Sequence, residues 1–232
     1  MASAASWRGE PLPRGRHTLS AGEVRADQRA RLERAMLECV AEVGYQATTV
    51  PEVVARARVS RNAFYEFFSA KTDCFIAVSD AAATELLDEL FKLAAEPSWT
   101  RALRDGMRTY LRWWRERPAF TRAYFIELPS AGAPAVTQRD RQYERFLDLF
   151  RGLAARAREE QPELPEASET TLRMLMWGVT ELIAAEARAG RVERLGELED
   201  DLVWVMVRML ADDASARAER EAATGAPRSA TT

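Results

Sequence analysis

The chain has 232 residues, 47% hydrophobic and 30% charged, which is enough to bury a substantial core in one large domain or two smaller ones. Its net charge of −3 is unevenly spread: residues 1–75 hold eleven basic and nine acidic side chains, so the head is basic and the body acidic. Two cysteines exclude a disulfide framework, and no signal-like leader or apolar run of about 18 residues occurs, so a cytoplasmic protein that does not span a membrane is expected.

Residues 1–19 are rich in Pro, Gly, Ser and Arg and are expected to be a disordered arm. Ser20 and Glu23 have the spacing of a capping box, and apolar residues at 32, 36, 39, 40 and 43 then repeat at helical spacing up to Gly44. Thr49 and Glu52 form a second box, with Pro51 tolerated in the first turn of a short helix reaching about Ala57. Ser60 caps another short helix, Arg61 to Phe67, and Ser69 caps a long one to about Glu96. Further helices are predicted over about 98–116, 118–127, 134–159, 166–189 and 197–212, punctuated by prolines and by Gly190. After Asp213 the Ala, Ser, Thr and Arg-rich tail is expected to fray. No strand pattern appears, so the fold class is all-α, with about nine helices. Cys39 shares a face with Leu32, Met36, Val40 and Val43, and Cys74 lies in an apolar run; both are expected to be buried hydrophobes.

Function points to residues 44–75. Two short helices around the tight link Arg58-Val59 have the layout of a helix-turn-helix, with Val50, Val53, Val54, Ala57, Val59, Phe64 and Phe67 as its apolar seam. Arg61, Asn62, Ala63 and Tyr65 stand near the start of the second helix, where such helices meet base edges in a major groove. Arg61 can pair with a guanine, and Asn62 with an adenine or a phosphate.

On Gly44-Tyr45, Thr48-Thr49-Val50, Val53-Val54-Ala55, Val59-Ser60, Phe64-Tyr65, Phe67-Phe68, Lys71 and Asp73 to Phe75, the sequence resembles the TetR family of transcriptional regulators. The match covers about residues 20–80; beyond it only helix number and length agree. The resemblance implies phosphate contacts from Thr49, Ser60, Tyr65 and Lys71, which set register rather than sequence. The start of the helix at Ser69 to Lys71 also offers N–H groups to a phosphate. Arg58 stands where the family usually has glycine, so the turn must either avoid positive φ or bear strain. Asn62-Ala63-Phe64 replaces the family's commoner Gly-Thr-Leu, so the operator cannot be borrowed from a relative. Arg8, Arg14, Arg16 and Arg25 could extend the contact into a minor groove.

The expected organisation is an arm over 1–19, a DNA-binding domain over 20–75 with its motif at about 49–68, a ligand-binding and dimerisation domain over 76–213, and a tail over 214–232. In the larger domain Leu103, Met107, Tyr110 and Trp114 recur at spacings of four, three and four, which is one helical face. With Tyr124, Phe125, Phe146 and Trp177 they are the candidate lining of an apolar pocket, with Tyr110, Tyr124, Glu127 and Arg104 as polar candidates. The resemblance implies that an inducer, expected to be apolar or aromatic, binds there. The last two helices are apolar on more than one face: Leu202 to Leu210 has only Arg208 polar, and Leu172, Leu175, Val179, Leu182 and Ile183 mark the other. A homodimer through these helices is expected.

Enzyme parts are missing. The only histidine, His17, lies in the arm, and no Gly-rich phosphate loop follows a strand, so neither a metal nor a cofactor is expected. The expectation is therefore a ligand-responsive repressor that binds a palindromic operator on double-stranded DNA. The alternative is a helical small-molecule carrier that does not bind DNA.

Overall fold

Side-chain caps decide where most helices begin. In the computed structural model, which describes residues 20–93 and 96–225, α1 (Ala21–Ala47) starts at Ser20. The Ser20 hydroxyl accepts the Glu23 N–H, and the Glu23 carboxylate accepts the Ser20 N–H. α2 (Val50–Ala57) repeats the arrangement with Thr49 and Glu52, and α3 (Arg61–Phe67) is capped by Ser60. α4 (Lys71–Lys92) starts differently from expectation: Asp73 reaches back to accept the Ser69 hydroxyl and the Ala70 N–H.

α5 (Trp99–Arg115) is capped by Ser98, and α6 (Pro118–Arg122) runs into a single π-helical turn, Ala123–Glu127, and then a 3-10 turn, Leu128–Ala131. α7 (Ala133–Glu160) and α8 (Glu169–Arg188) follow, then a 3-10 turn, Val192–Leu198, and α9 (Glu199–Leu210). Among the described residues there is no strand, and the all-α class holds. None of their helices is long and apolar enough to cross a membrane.

Beyond Asp213 the structure departs from expectation. Residues Asp213–Gly225 form α10 rather than a disordered tail. Asp212 accepts the Ser215 N–H at 2.7 Å as the helix begins, and the Ala, Glu and Arg content that looked featureless is strongly helix-forming. The rest of the tail and the arm with Arg8, Arg14 and Arg16 lie outside the described residues.

The chain also divides differently. Among the described residues, one compact unit comprises 20–85 together with 118–142; the other comprises 86–93, 96–117 and 143–225. The single cut expected near residue 75 misses that 118–131 packs on α1. Helix α1 breaks at Gly44, whose φ of 81° and ψ of 162° belong to a region essentially reserved for glycine. Just beyond the break, the Tyr45 N–H donates to Glu127 at 2.9 Å and the Gln46 amide donates to the Ser130 carbonyl at 2.7 Å. Glu127, a polar candidate for orienting a ligand, is therefore engaged in holding the end of α1.

The core of the first unit includes Leu32, Met36, Val53, Phe64, Cys74 and Phe75, all fully or almost fully buried, with Tyr45 stacked on Phe75. Each such large side chain contributes about 1.5–3 kcal/mol through burial. Both cysteines are buried as expected, and burial drives the Cys74 thiol far above the ordinary thiol range.

In the second unit Trp99, Trp113, Leu111, Ile183, Leu195 and Val203 are buried. Arg104 is buried too, and its guanidinium is satisfied by Asp200 at 2.7 Å, Glu199 at 3.3 Å and both carboxylate oxygens of Glu219 on α10. A buried cation persists only when paired in this way, so Arg104 serves to anchor α10.

Candidate nucleic-acid interface

The link between α2 and α3 is only Arg58, Val59 and the capping Ser60. The last turn of α2 closes with the Arg58 N–H on the Ala55 carbonyl and the Val59 N–H on the Val54 carbonyl. This closure requires a left-handed residue, and Arg58 supplies it at φ 54°, ψ 45°, the only non-glycine residue at positive φ among those described. The strain anticipated at this position is present, at a cost of about 1–2 kcal/mol. The Arg31 guanidinium supports the turn from α1, donating to the carbonyls of Ala57 at 3.3 Å and Arg58 at 3.5 Å.

Helix α3 then sorts its side chains by face. Phe64 is fully buried, and Ala63 turns inward beside it with only 9% exposure, so Ala63 does not present itself to base edges as expected. The outward face consists of Arg61, Asn62, Tyr65 and Glu66, with Tyr65 47% exposed and the Arg61 guanidinium 5.7 Å from its ring centre. Sequence reasoning missed Glu66, although it lies four residues after Asn62 and so shares its face. Its carboxylate meets the Arg25 guanidinium at 2.9 Å, an exposed pair that links α3 to α1.

The expected phosphate anchors differ in what their polar atoms are doing. Ser60 is exposed, and its hydroxyl oxygen accepts the Ala63 N–H at 3.1 Å while its proton remains able to reach a phosphate. The Thr49 hydroxyl donates to Glu52 at 2.8 Å, so DNA would have to compete with that carboxylate. Lys71 is the most committed: its ammonium donates to the carbonyls of Tyr45 at 2.9 Å, Gln46 at 3.3 Å and Thr48 at 2.8 Å, and sits 4.4 Å from the centre of the Tyr45 ring. All three N–H donors thus have protein acceptors at the end of α1, an occupation its place in a binding motif does not reveal. At the start of α4, Asp73 already accepts the Ala70 N–H at 3.2 Å, which places a carboxylate where an anion was expected.

The candidate ligand-lining residues fall in both units. In the second, Leu103, Met107, Trp114 and Phe146 are buried, and Tyr110 makes edge contacts with both Trp114 and Phe146, at 6.1 and 5.8 Å between ring centres. Desolvation raises the Tyr110 hydroxyl above its ordinary pKa. Tyr124 and Phe125 belong to the first unit, where the buried Tyr124 hydroxyl donates to Gln142 at 3.0 Å.

Trp177 is 45% exposed on α8, with the Arg173 guanidinium 5.6 Å from its ring centre. It shares an outward stripe with Met174 and Leu182, which are 61% and 44% exposed. Of the residues named to mark the apolar surface of this helix, Leu172, Leu175, Val179 and Ile183 face the chain's own core instead, and only Leu182 stays outside. Both faces are apolar, so periodicity alone could not say which one turned inward.

The sequence of residues 34–78 matches the model of the family described as bacterial regulatory proteins, tetR family. No protein of curated function matches the chain. Among solved structures, FadR from Bacillus subtilis, a transcriptional regulator in complex with stearoyl-CoA, is 14% identical with a TM-score of 0.70, over 76% of this chain and 96% of its own. SmeT, the repressor of a Stenotrophomonas maltophilia multidrug efflux pump, is 19% identical with a TM-score of 0.66, over 82% and 94%. A transcriptional regulator from a Rhodococcus species is 26% identical with a TM-score of 0.63, over 79% and 97%. Residues 34–78 thus carry the N-terminal domain described for the tetR family, and the chain shares the helical fold of these solved regulators along about three quarters of its length.

Proposed function

We propose that the chain is a ligand-responsive repressor that binds an inverted-repeat operator as a homodimer. The observation that carries the DNA-binding part is the outward face of α3, where Arg61, Asn62 and Tyr65 stand exposed on a helix held rigid by Phe64 and the Ser60 cap. Arg61 reads a guanine through its planar fork, and Asn62 reads an adjacent base or grips a phosphate. Ser60 and Tyr65 hold register on the backbone.

One helix-turn-helix reads one half-site, so operator recognition calls for two chains with their α3 helices about 34–36 Å apart. The exposed stripe of Met174, Trp177 and Leu182 on α8, with Val205 on α9, supports a symmetric interface through these two helices.

For the effector, the apolar surroundings of Tyr110, Trp114 and Phe146 favour an apolar or aromatic molecule. FadR binds stearoyl-CoA and SmeT represses a multidrug pump, so long-chain acyl thioesters and apolar drugs are the first compounds to test. Effector binding lowers operator affinity by the coupling free energy of the two sites, typically about 1–3 kcal/mol, and operator DNA weakens the effector by the same factor.

The test is selection of bound duplexes from a random pool, followed by anisotropy titration of the enriched site. An inverted repeat bound by two chains is the expected result. A pool that never enriches, with no duplex affinity, would favour the carrier reading instead.

A further inference from the structure

The seven arginines of α1, the α2–α3 segment and the turn between them divide sharply by partner. Arg25 meets Glu66 at 2.9 Å, Arg29 meets Glu33 at 2.8 Å, Arg31 meets Asp27 at 3.0 Å and Arg56 meets Glu42 at 2.6 Å. Arg34 is engaged as well. Two remain, Arg58 and Arg61, whose guanidinium groups meet no carboxylate among the described residues. They lie on either side of the exposed Ser60, so positive charge that no carboxylate among the described residues compensates stands at the turn and the first residue of α3. Lys71 adds little there, because its ammonium is held by three backbone carbonyls.

Arg58 is also, among the described residues, the one non-glycine residue in a left-handed conformation, at a position where glycine would cost nothing sterically. Among the described residues its side chain makes no hydrogen bond or ion pair to the turn; the support comes from Arg31, which donates to the Ala57 and Arg58 carbonyls. A strained side chain that does not stabilise its own fold, is exposed, and carries one of two uncompensated charges beside the recognition helix has a use outside the fold.

We infer that Arg58 is a phosphate anchor, gripping the DNA backbone beside the groove that α3 enters and trading turn stability for affinity. This rests on the DNA-binding reading above. Arg58 lies in the turn, outside the helix that carries the reading residues, and its guanidinium fork matches phosphate oxygens, so the backbone is the partner inferred for it. The contact is therefore independent of sequence and sensitive to salt.

The experiment is an anisotropy titration of a labelled random-sequence duplex between about 50 and 200 mM salt, with the full chain and three variants. Arg58→Gly should melt at or above the wild-type temperature yet lose about tenfold in affinity near 0.1 M salt, with the salt slope reduced by about one. Arg58→Gln keeps the strain and drops the charge, and should lose the same slope. Arg58→Lys keeps the charge and should keep the slope. Wild-type slope in both the Gly and Gln variants overturns the proposal, as does a loss in Gly alone, which would implicate the backbone rather than the charge. A wild-type chain without salt-dependent duplex affinity overturns the DNA-binding reading itself, and this inference with it.

Discussion

Helices α3 and α8 each present a stripe of exposed side chains, and the two differ in kind. On α3 the stripe is Arg61, Asn62, Tyr65 and Glu66, hydrogen-bonding groups on a short helix anchored by a fully buried phenylalanine. On α8 it is Met174, Trp177 and Leu182, a run with little to offer a polar partner. A hydrated, anionic duplex is recognised by directed donors that keep their hydrogen bonds when water leaves. A second protein chain is recognised by apolar area removed from water. Both stripes face solvent in a single chain, yet their chemistry suits them to different kinds of partner.

The largest expected effect comes from breaking the apolar stripe. Trp177→Glu should weaken self-association by 2 kcal/mol or more, since a buried tryptophan at an interface centre is a typical hot spot and a carboxylate there is also desolvated. Sedimentation velocity should then report the 26.1 kDa chain in place of a dimer. Undiminished association would mean that the stripe is not the interface.

Lys71 and Arg61 sharpen the contrast between a basic residue that folds the protein and one proposed to read DNA. Lys71→Met leaves carbonyls at the end of α1 without their donor and should cost about 1–3 kcal/mol of stability, read by thermal or denaturant unfolding. An unchanged melting temperature with a salt slope lowered by about one would instead make Lys71 a phosphate anchor. Arg61→Ala should leave melting unchanged while weakening the selected operator by about 1–3 kcal/mol and relaxing preference at one base position. Equal affinity and unaltered preference would remove Arg61 from the reading face.

The smallest effect concerns the caps beneath the head. The Thr49 hydroxyl and N–H hold the Glu52 carboxyl below its ordinary value of 4.5, and the Ser20 N–H and hydroxyl do the same for Glu23. A carboxyl depressed in the folded state contributes stability above its unfolded pKa and loses it as pH falls through the folded value. Melting temperature should therefore decline on acidification below about 4.5, and Glu52→Gln should flatten part of that decline. A wild-type slope in Glu52→Gln would show that the capping carboxylate carries none of it.

Helix starts were legible because they are written locally. Ser20 with Glu23, Thr49 with Glu52, Ser60 and Ser98 cap within three residues of themselves, and no distant part of the chain can alter that chemistry. The helix-turn-helix was legible for the same reason, and Arg58 announced its left-handed turn by standing where glycine is usual. What stayed hidden depends on partners far along the chain. Ala63 was placed on the reading face, but Phe64 and the α1 core decide how α3 is rotated. Glu127 looked like a ligand-orienting acid until it met the Tyr45 N–H across 82 residues. The tail after Asp213 lacks an apolar face, so nothing local signalled that Glu219 would close on Arg104, 115 residues away.

By itself, then, the sequence determined the all-helical class, the helix boundaries with local caps, the family of the head and the polar character of its exposed residues. Only the tertiary structure decided which face of α8 turned outward, that 118–142 joins the N-terminal unit, and that Lys71 is held by carbonyls. The physical reason is range: capping and turn chemistry act over three or four residues, whereas burial and charge pairing are settled by whichever side chains the fold brings into contact.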